Sequence, residues 1–265
     1  MAEWNASAYN QISALQEWLA EEQMRQLQLA GSERVLDVGC GDGKITAKIA
    51  ARLPGGSVVG VDPSHSMIAF ASERFGPPTC PNLRFVVGDA RQLGFNSEFD
   101  LVVSFNALHW VLDQHSALSS IHAALKPGGS ALLRLVPKGD RTSIEEILEE
   151  TRSRPRWADY FAGFVAPFVH FTPDEYHALA IRSGLSVKHV RVEDRAWDFK
   201  TRDAFLAFCR TTCVFWLSRL PERDWPAFLT EMLDRYQFAA GNGPGEAHVF
   251  KFQQMEAALR RGESV

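Results

Sequence analysis

The sequence predicts an α/β fold: a doubly wound, seven-stranded, mostly parallel sheet with a helical cap from C-terminal insertions and an N-terminal helix. Three observations predict it. Short apolar runs alternate with helical patterns through the first half of the chain. A glycine-rich turn follows the first of those runs. Acids then stand at the ends of three successive runs, where an open parallel sheet gathers its ligands.

Taken in order, Ser13 to Gln28 reads as a helix, with Ala14, Leu15, Trp18, Leu19 and Leu27 at helical spacing and Gly31 as its stop. Arg34 to Val38 is a buried strand, and Gly39, Gly41 and Gly43 turn the chain into a helix marked by Ile45, Ile49 and Leu53. Pro54-Gly55-Gly56 ends that helix. Ser57 to Val61 is the second strand, closing on Asp62; Ser64 to Phe75 is a helix broken by Gly76-Pro77-Pro78; Leu83 to Val87 is the third strand, closing on Gly88-Asp89. Phe99 to Phe105 is the fourth strand, followed by Asn106. Gln114 to Leu125 is a helix stopped by Lys126-Pro127-Gly128-Gly129, and Ala131 to Val136 is the fifth strand.

Beyond Pro137 the rhythm changes. Thr142 to Arg152 is a helix, and the aromatics Trp157, Tyr160, Phe161, Phe164, Phe168 and Phe171 suggest a lid. Thr172-Pro173-Asp174 caps a helix to Ser183, which Gly184 stops before a sixth strand, Ser186 to Val192. Thr201 to Arg219 and Pro221 to Tyr236 are long helical patterns, and Ala247 to Phe252 is the seventh strand. The chain therefore divides into an N-terminal helical segment, 1–30, a ligand-binding core, 31–137, and cap insertions with the last two strands, 138–265.

Composition bounds the function. With 265 residues, 46% of them hydrophobic, the chain can bury one large core and an appendage. A net charge of −4 supplies no basic field for nucleic acid, so a small-molecule partner is the expectation. The four cysteines form no disulfide framework, C-x-x-C pair or metal-spaced cluster, which points to a reducing, cytoplasmic setting and no metal. No export signal or stretch of eighteen apolar residues is present, so no membrane partner is expected. The partner state is read as monomer or homodimer.

The stretch VLDVGCGDGK, Val35 to Lys44, fits neither common nucleotide motif. A dinucleotide fingerprint needs glycine at position 44, which is Lys44, and a phosphate loop needs Ser or Thr after Gly43-Lys44, where Ile45 stands. D-x-G-x-G-x-G after a strand resembles motif I of the Rossmann-like S-adenosylmethionine (SAM) methyltransferases. The resemblance spans almost the whole chain and implies their sheet, with the last strand inserted antiparallel, and SAM as cofactor. Asp62, nineteen residues after Gly43, is placed to accept ribose hydroxyls. The resemblance further implies that Asp37, Gly39 and Gly41 face the methionine part and that Asp89 and the backbone at Ala90 hold the adenine amino edge, with Cys40, Gly43, Pro63, Met67, Phe105 and Asn106 also among the cofactor-binding residues.

The segment FDLVVSFNALHWVLDQHSALSSIHAALKPGG is similar to the small-molecule branch of that superfamily. The start, WNASAYNQISALQEW, resembles the gating segment of trans-aconitate methyltransferases, and the L-H-W and L-Q pairs resemble juvenile hormone acid methyltransferase. Both relatives methylate carboxylates, and the second implies Gln16 and Trp110 as acceptor-orienting residues. A carboxylate is already ionised at neutral pH, so no base is needed. A phenol, amine or carbon acceptor would want one, and His109 is then the candidate. A nicotinamide oxidoreductase is disfavoured by Lys44, whereas a SAM-binding protein without catalysis is not distinguished by motif. Asn-Pro-Pro-aromatic and Pro-Cys, expected of DNA-base methylation, are absent from SFNALHW. Cys209, Cys213 and the stripe Phe205, Phe208, Phe215 and Trp216 read as helix packing.

Overall fold

The computed structural model describes residues 14–243 and 245–263. The N-terminal helix, α1, spans Ala14–Gln26. A βα rhythm follows: β1 Arg34–Val38, α2 Lys44–Ala51, β2 Ser57–Asp62, α3 His65–Phe75, β3 Leu83–Val87, β4 Phe99–Phe105, α4 Gln114–Ala124 and β5 Leu125–Leu135. The second half supplies α5 Ile144–Arg152, α6 Pro173–Arg182, β6 Leu185–Asp198, α7 Arg202–Thr212, the short α8 Val214–Leu217, α9 Trp225–Ala239 and β7 Val249–Arg261. The seven strands form one sheet in the order β3-β2-β1-β4-β5-β7-β6. β1 to β5 pair in parallel, and β7 runs antiparallel between β5 and β6, as the resemblance implied.

Alternation along the strands splits the core. Leu36, Val38, Val59, Val61 and Val102 pack with α4 and α6, while Val35, Val58 and Val103 pack with Ile49, Ala50 and Leu53 around α2. A third cluster is the aromatic cap, built from α5, α7, α8, α9 and the chain before α6, and it takes in Leu15 and Leu19 of α1. Trp157 and Phe161, read as lid residues, are 2% and 3% exposed inside that cap. The Trp157 indole donates to Glu231 Oε2 at 2.9 Å, so a buried N–H is satisfied and the ring is fixed as cap core.

Several boundaries differ from the sequence reading. Lys126-Pro127-Gly128-Gly129 does not separate helix from strand: β5 already begins at Leu125, and a register shift between Phe99 and Leu101 absorbs the irregularity. The Thr201–Arg219 pattern breaks at Cys213, where the Thr211 and Thr212 hydroxyls donate to the Phe208 carbonyl and compete with the helix ladder. β6 and β7 run far beyond their apolar runs because polar side chains meet across them. Arg134 of β5 is 1% exposed and donates to Glu256 Oε2 of β7 at 2.9 and 2.6 Å. Glu256 Oε1 meets His189 and Arg191 of β6 at 3.0 and 2.8 Å. Arg134 also donates to Gln26 of α1 at 2.5 Å, and Arg195 of β6 pairs with Glu22 at 2.6 Å, so α1 is anchored against β5–β7–β6.

Candidate functional site

The site is built where β1 and β2 end. Gly39 and Cys40 donate their amides to the Val61 carbonyl at 2.7 and 3.1 Å, and the Gly41 amide donates to Asp62 Oδ2 at 3.0 Å. The other Asp62 oxygen accepts from the Ser64 amide at 2.9 Å, and the Ser64 hydroxyl caps α3. The glycine turn and the acid of β2 are therefore one hydrogen-bonded unit. Gly39 has a φ of 79°, and a Cβ there would lie 2.1 Å from the Ala107 Cβ, so the turn can press on the end of β4 only as glycine. Gly41, at φ 53°, would meet nothing within 4 Å and faces open space.

Two carboxyls lie under this turn without an ion pair among the described residues. Asp37 is 2% exposed and accepts from the Thr46 hydroxyl at 2.7 Å. Burial raises its pKa to about 7, the Thr46 bond opposes the rise, and the Asp62 charge adds to it. Asp62 is also raised by burial, against the pull of the Ser64 and Gly41 amides. Such a pair beside an open glycine fits a ligand that brings positive charge and hydroxyl donors. SAM, with its sulfonium, ammonium and ribose, is such a ligand, and Asp37, Gly41 and Asp62 are the residues that would hold it.

The other cofactor candidates fall into place less uniformly. Pro63 is exposed beside Asp62, whereas Met67 is 3% exposed in the first turn of α3 and Cys40 is 7% exposed against Gly60, which leaves its thiol buried and its pKa raised. Asp89 and Ala90 are half-buried after β3. The Asp89 carboxylate is held by the Arg91 guanidinium at 3.0 and 2.5 Å, a bond that also lowers its pKa, so an adenine edge would compete with Arg91 for it. Phe105 is buried at the end of β4, and Asn106 takes a left-handed φ of 56°. Its amide donates to the Arg134 carbonyl at 2.8 Å, and its side-chain oxygen accepts from Gln254 at 3.0 Å. Gln254 in turn accepts from Arg134 at 3.3 Å.

On the acceptor side, the 3-10 turn Leu108–Trp110 follows β4. Trp110 joins the cap aromatics, with ring centroids 5.4 Å from Phe215 and 6.2 Å from Trp216. His109 is 3% exposed, and its Nδ1 has no hydrogen-bond partner. Burial first, and His170 second, lower its pKa to about 3. Burial therefore keeps the ring neutral at pH 7. Gln16 lies on α1, but its side chain falls outside the described residues, as does the whole segment 1–13 with Trp4 and Tyr9. Sequence reasoning missed His170, which faces His109, because nothing in the run FVHFTP says where one ring of several points. It also missed the Arg134 network, whose signal was a lone charge inside the apolar run ALLRLV.

Among the described residues no cluster of three metal-ligating side chains occurs, and no helix is long and apolar enough to cross a membrane.

A profile of the methyltransferase-domain family matches residues 35–129, from β1 into β5. The chain is 29% identical over 233 residues, 88% of its length, to a protein named as a methyltransferase, 235L, of Invertebrate iridescent virus 6, and spans 85% of that relative. It is 34% identical over 140 residues to the trans-aconitate 2-methyltransferase of Deinococcus radiodurans, covering 53% of this chain and about half, 52%, of that relative. In fold it is similar to the Haemonchus contortus phosphoethanolamine N-methyltransferase 2 solved with phosphomonomethylethanolamine and S-adenosylhomocysteine, with a TM-score of 0.64, 19% identity, and 97% and 57% of the two chains covered. Residues 35–129 are thus a methyltransferase domain built on a Rossmann-like sheet. The chain is a SAM-dependent methyltransferase, similar to the trans-aconitate methyltransferase branch.

Proposed function

We propose that the enzyme methylates a small molecule and that the receiving atom is a carboxylate oxygen. The observation that carries this reading is the burial of His109, 3% exposed beside Trp110, which disfavours its charged form and so weakens it as the base that a phenol or a protonated amine would need. A carboxylate needs only to be held in line and dehydrated. The trans-aconitate relatives support the same choice.

The cofactor supplies an activated methyl group on a sulfonium. In this reading Asp62 accepts the ribose hydroxyls, Asp37 sets negative charge near the sulfonium and ammonium, and Gly41 lets the backbone approach. Pro63, Met67, Asp89, Ala90, Phe105 and Asn106 line the adenosine, with Arg91 turning aside from Asp89. Trp110 and Gln16 orient the acceptor, while Phe164, Phe168, Phe215 and Trp216 wall it from water. Residues 1–30 gate the acceptor, 31–137 bind the cofactor and the elements from 138 onward cap the site.

Purified protein incubated with labelled SAM and a panel of acids, phenols and amines tests this. Labelled esters of one or more acids are expected. Label confined to phenols, amines or carbon acids would replace the reading with the base-assisted alternative, and SAM binding without transfer to any acceptor would favour a non-catalytic role.

A further inference from the structure

We propose that His109 and His170 form the polar end of the acceptor site, two facing imidazoles that hold a carboxylate by N–H donation; the inference rests on the carboxylate reading above. The rings lie 6.2 Å apart between centroids, at 55°. Three of their four nitrogens, His109 Nδ1 and both of His170, are buried without any hydrogen-bond partner. Buried polar groups are rarely left so, and three in two facing rings mark a place made for a polar guest. Aromatic rings stand against both. Trp110 lies 4.9 Å from His109, Phe168 lies 4.6 Å from His170, and Trp216 lies about equally near Trp110 and Phe168, at 6.2 and 6.1 Å.

The backbone fixes this pairing. The Val169 amide donates to the His109 carbonyl at 2.9 Å, tying the loop before α6 to the turn after β4. His170 thus arrives beside His109, in the 3-10 turn that follows β4.

The chemistry of two neutral imidazoles selects the guest. Each ring offers one N–H, and two donors match the two oxygens of a carboxylate. Burial lowers the pKa of His170 to about 4 and that of His109 to about 3, with His170 the one titratable neighbour acting on His109 and none acting on His170 among the described residues. A carboxylate that accepts from both rings fixes which nitrogen of each carries the proton. An aromatic or aliphatic monoacid matches the walls.

The test uses the protein saturated with S-adenosylhomocysteine and labelled with ¹⁵N-histidine. Benzoate, phenylacetate and octanoate are the probes, and their neutral amides the controls. The His109 and His170 ring nitrogens, assigned through His109→Asn and His170→Asn, are expected to shift as hydrogen-bonded N–H donors with at least one acid and not with its amide. His170→Phe is expected to weaken that acid about tenfold or more with S-adenosylhomocysteine affinity unchanged, and His170→Asn, which keeps a donor, to recover much of the loss. Unmoved rings with every acid, equal movement with the amide, or full acid affinity in a folded His170→Phe would overturn the proposal. Labelled-SAM turnover of the same acids separates the two failures. Methylated acids with unmoved rings remove the subsite alone, whereas label only on phenols or amines removes the carboxylate reading as well.

Discussion

At the scale of single residues, the two buried acids carry the clearest consequences. Asp62 holds the glycine turn through Gly41, and in the proposed reading its remaining lone pairs accept from the ribose. Asp62→Ala is expected to weaken SAM binding by about 1–3 kcal/mol in a folded protein, the range for losing hydrogen bonds to a charged group; titration calorimetry showing unchanged affinity would remove Asp62 from the site. Asp37 makes a different prediction, because with a pKa of about 7 it is half protonated at neutral pH. A cationic ligand favours its ionised form, so binding should expel a proton, and SAM affinity should rise from pH 6 to 8 and then level. Calorimetry in two buffers of different ionisation heat measures that proton directly, and Asp37→Asn should abolish it. Both acids were legible in the sequence because a strand end fixes where they point. The protonation state of Asp37 was not legible, nor was that of His109, because desolvation depends on what the rest of the chain lays over them.

At the scale of elements, the sheet was readable where strands are apolar and obscure where they are not. β1 to β4 follow their hydrophobic runs to the residue or nearly so. β7 was cut short at Phe252 because Gln253, Gln254 and Glu256 look like surface. In the fold, Gln254 and Glu256 are 4% exposed and are matched by Arg134 from the neighbouring strand. Long-range pairing of that kind leaves no local trace. Glu256→Gln would strand the Arg134 charge, so a loss of about 3–5 kcal/mol in urea unfolding is expected; a loss under 1 kcal/mol would mean that Gln254 and Gln26 suffice to hold the guanidinium. The gating role of α1 is tested at the same scale. Deleting residues 1–20 should spare SAM binding and depress turnover, and full turnover in the truncated protein would rule the gate out.

At the scale of the whole molecule, buried titrating groups oppose one another. His109 and His170 are neutral in the fold, with values near 3 and 4 against about 6.5 when unfolded. Their contribution is present above about pH 6.5 and is lost as pH falls, because the unfolded chain then binds protons that the fold refuses. Asp37 and Glu145 run the other way. Burial raises both to about 7, so their contribution is present below about pH 4 and is lost as pH rises toward 7. The two slopes oppose one another and cancel in part between about pH 4 and 7. Glu145→Gln removes one of the opposing groups, and its denaturant midpoint should fall more steeply on acidification than that of the parent protein. The strand order β5-β7-β6 carries a further consequence, for the chain as it leaves the ribosome. β6 is complete at residue 198, yet its neighbour in the sheet is β7, which begins at residue 249. Until then β5 and β6 both present open edges, and Arg134 has no carboxylate to meet, so a nascent chain carries two aggregation-prone borders at once. One late insertion closes both, which makes arrival of the last strand the moment at which sheet and cap become a single body.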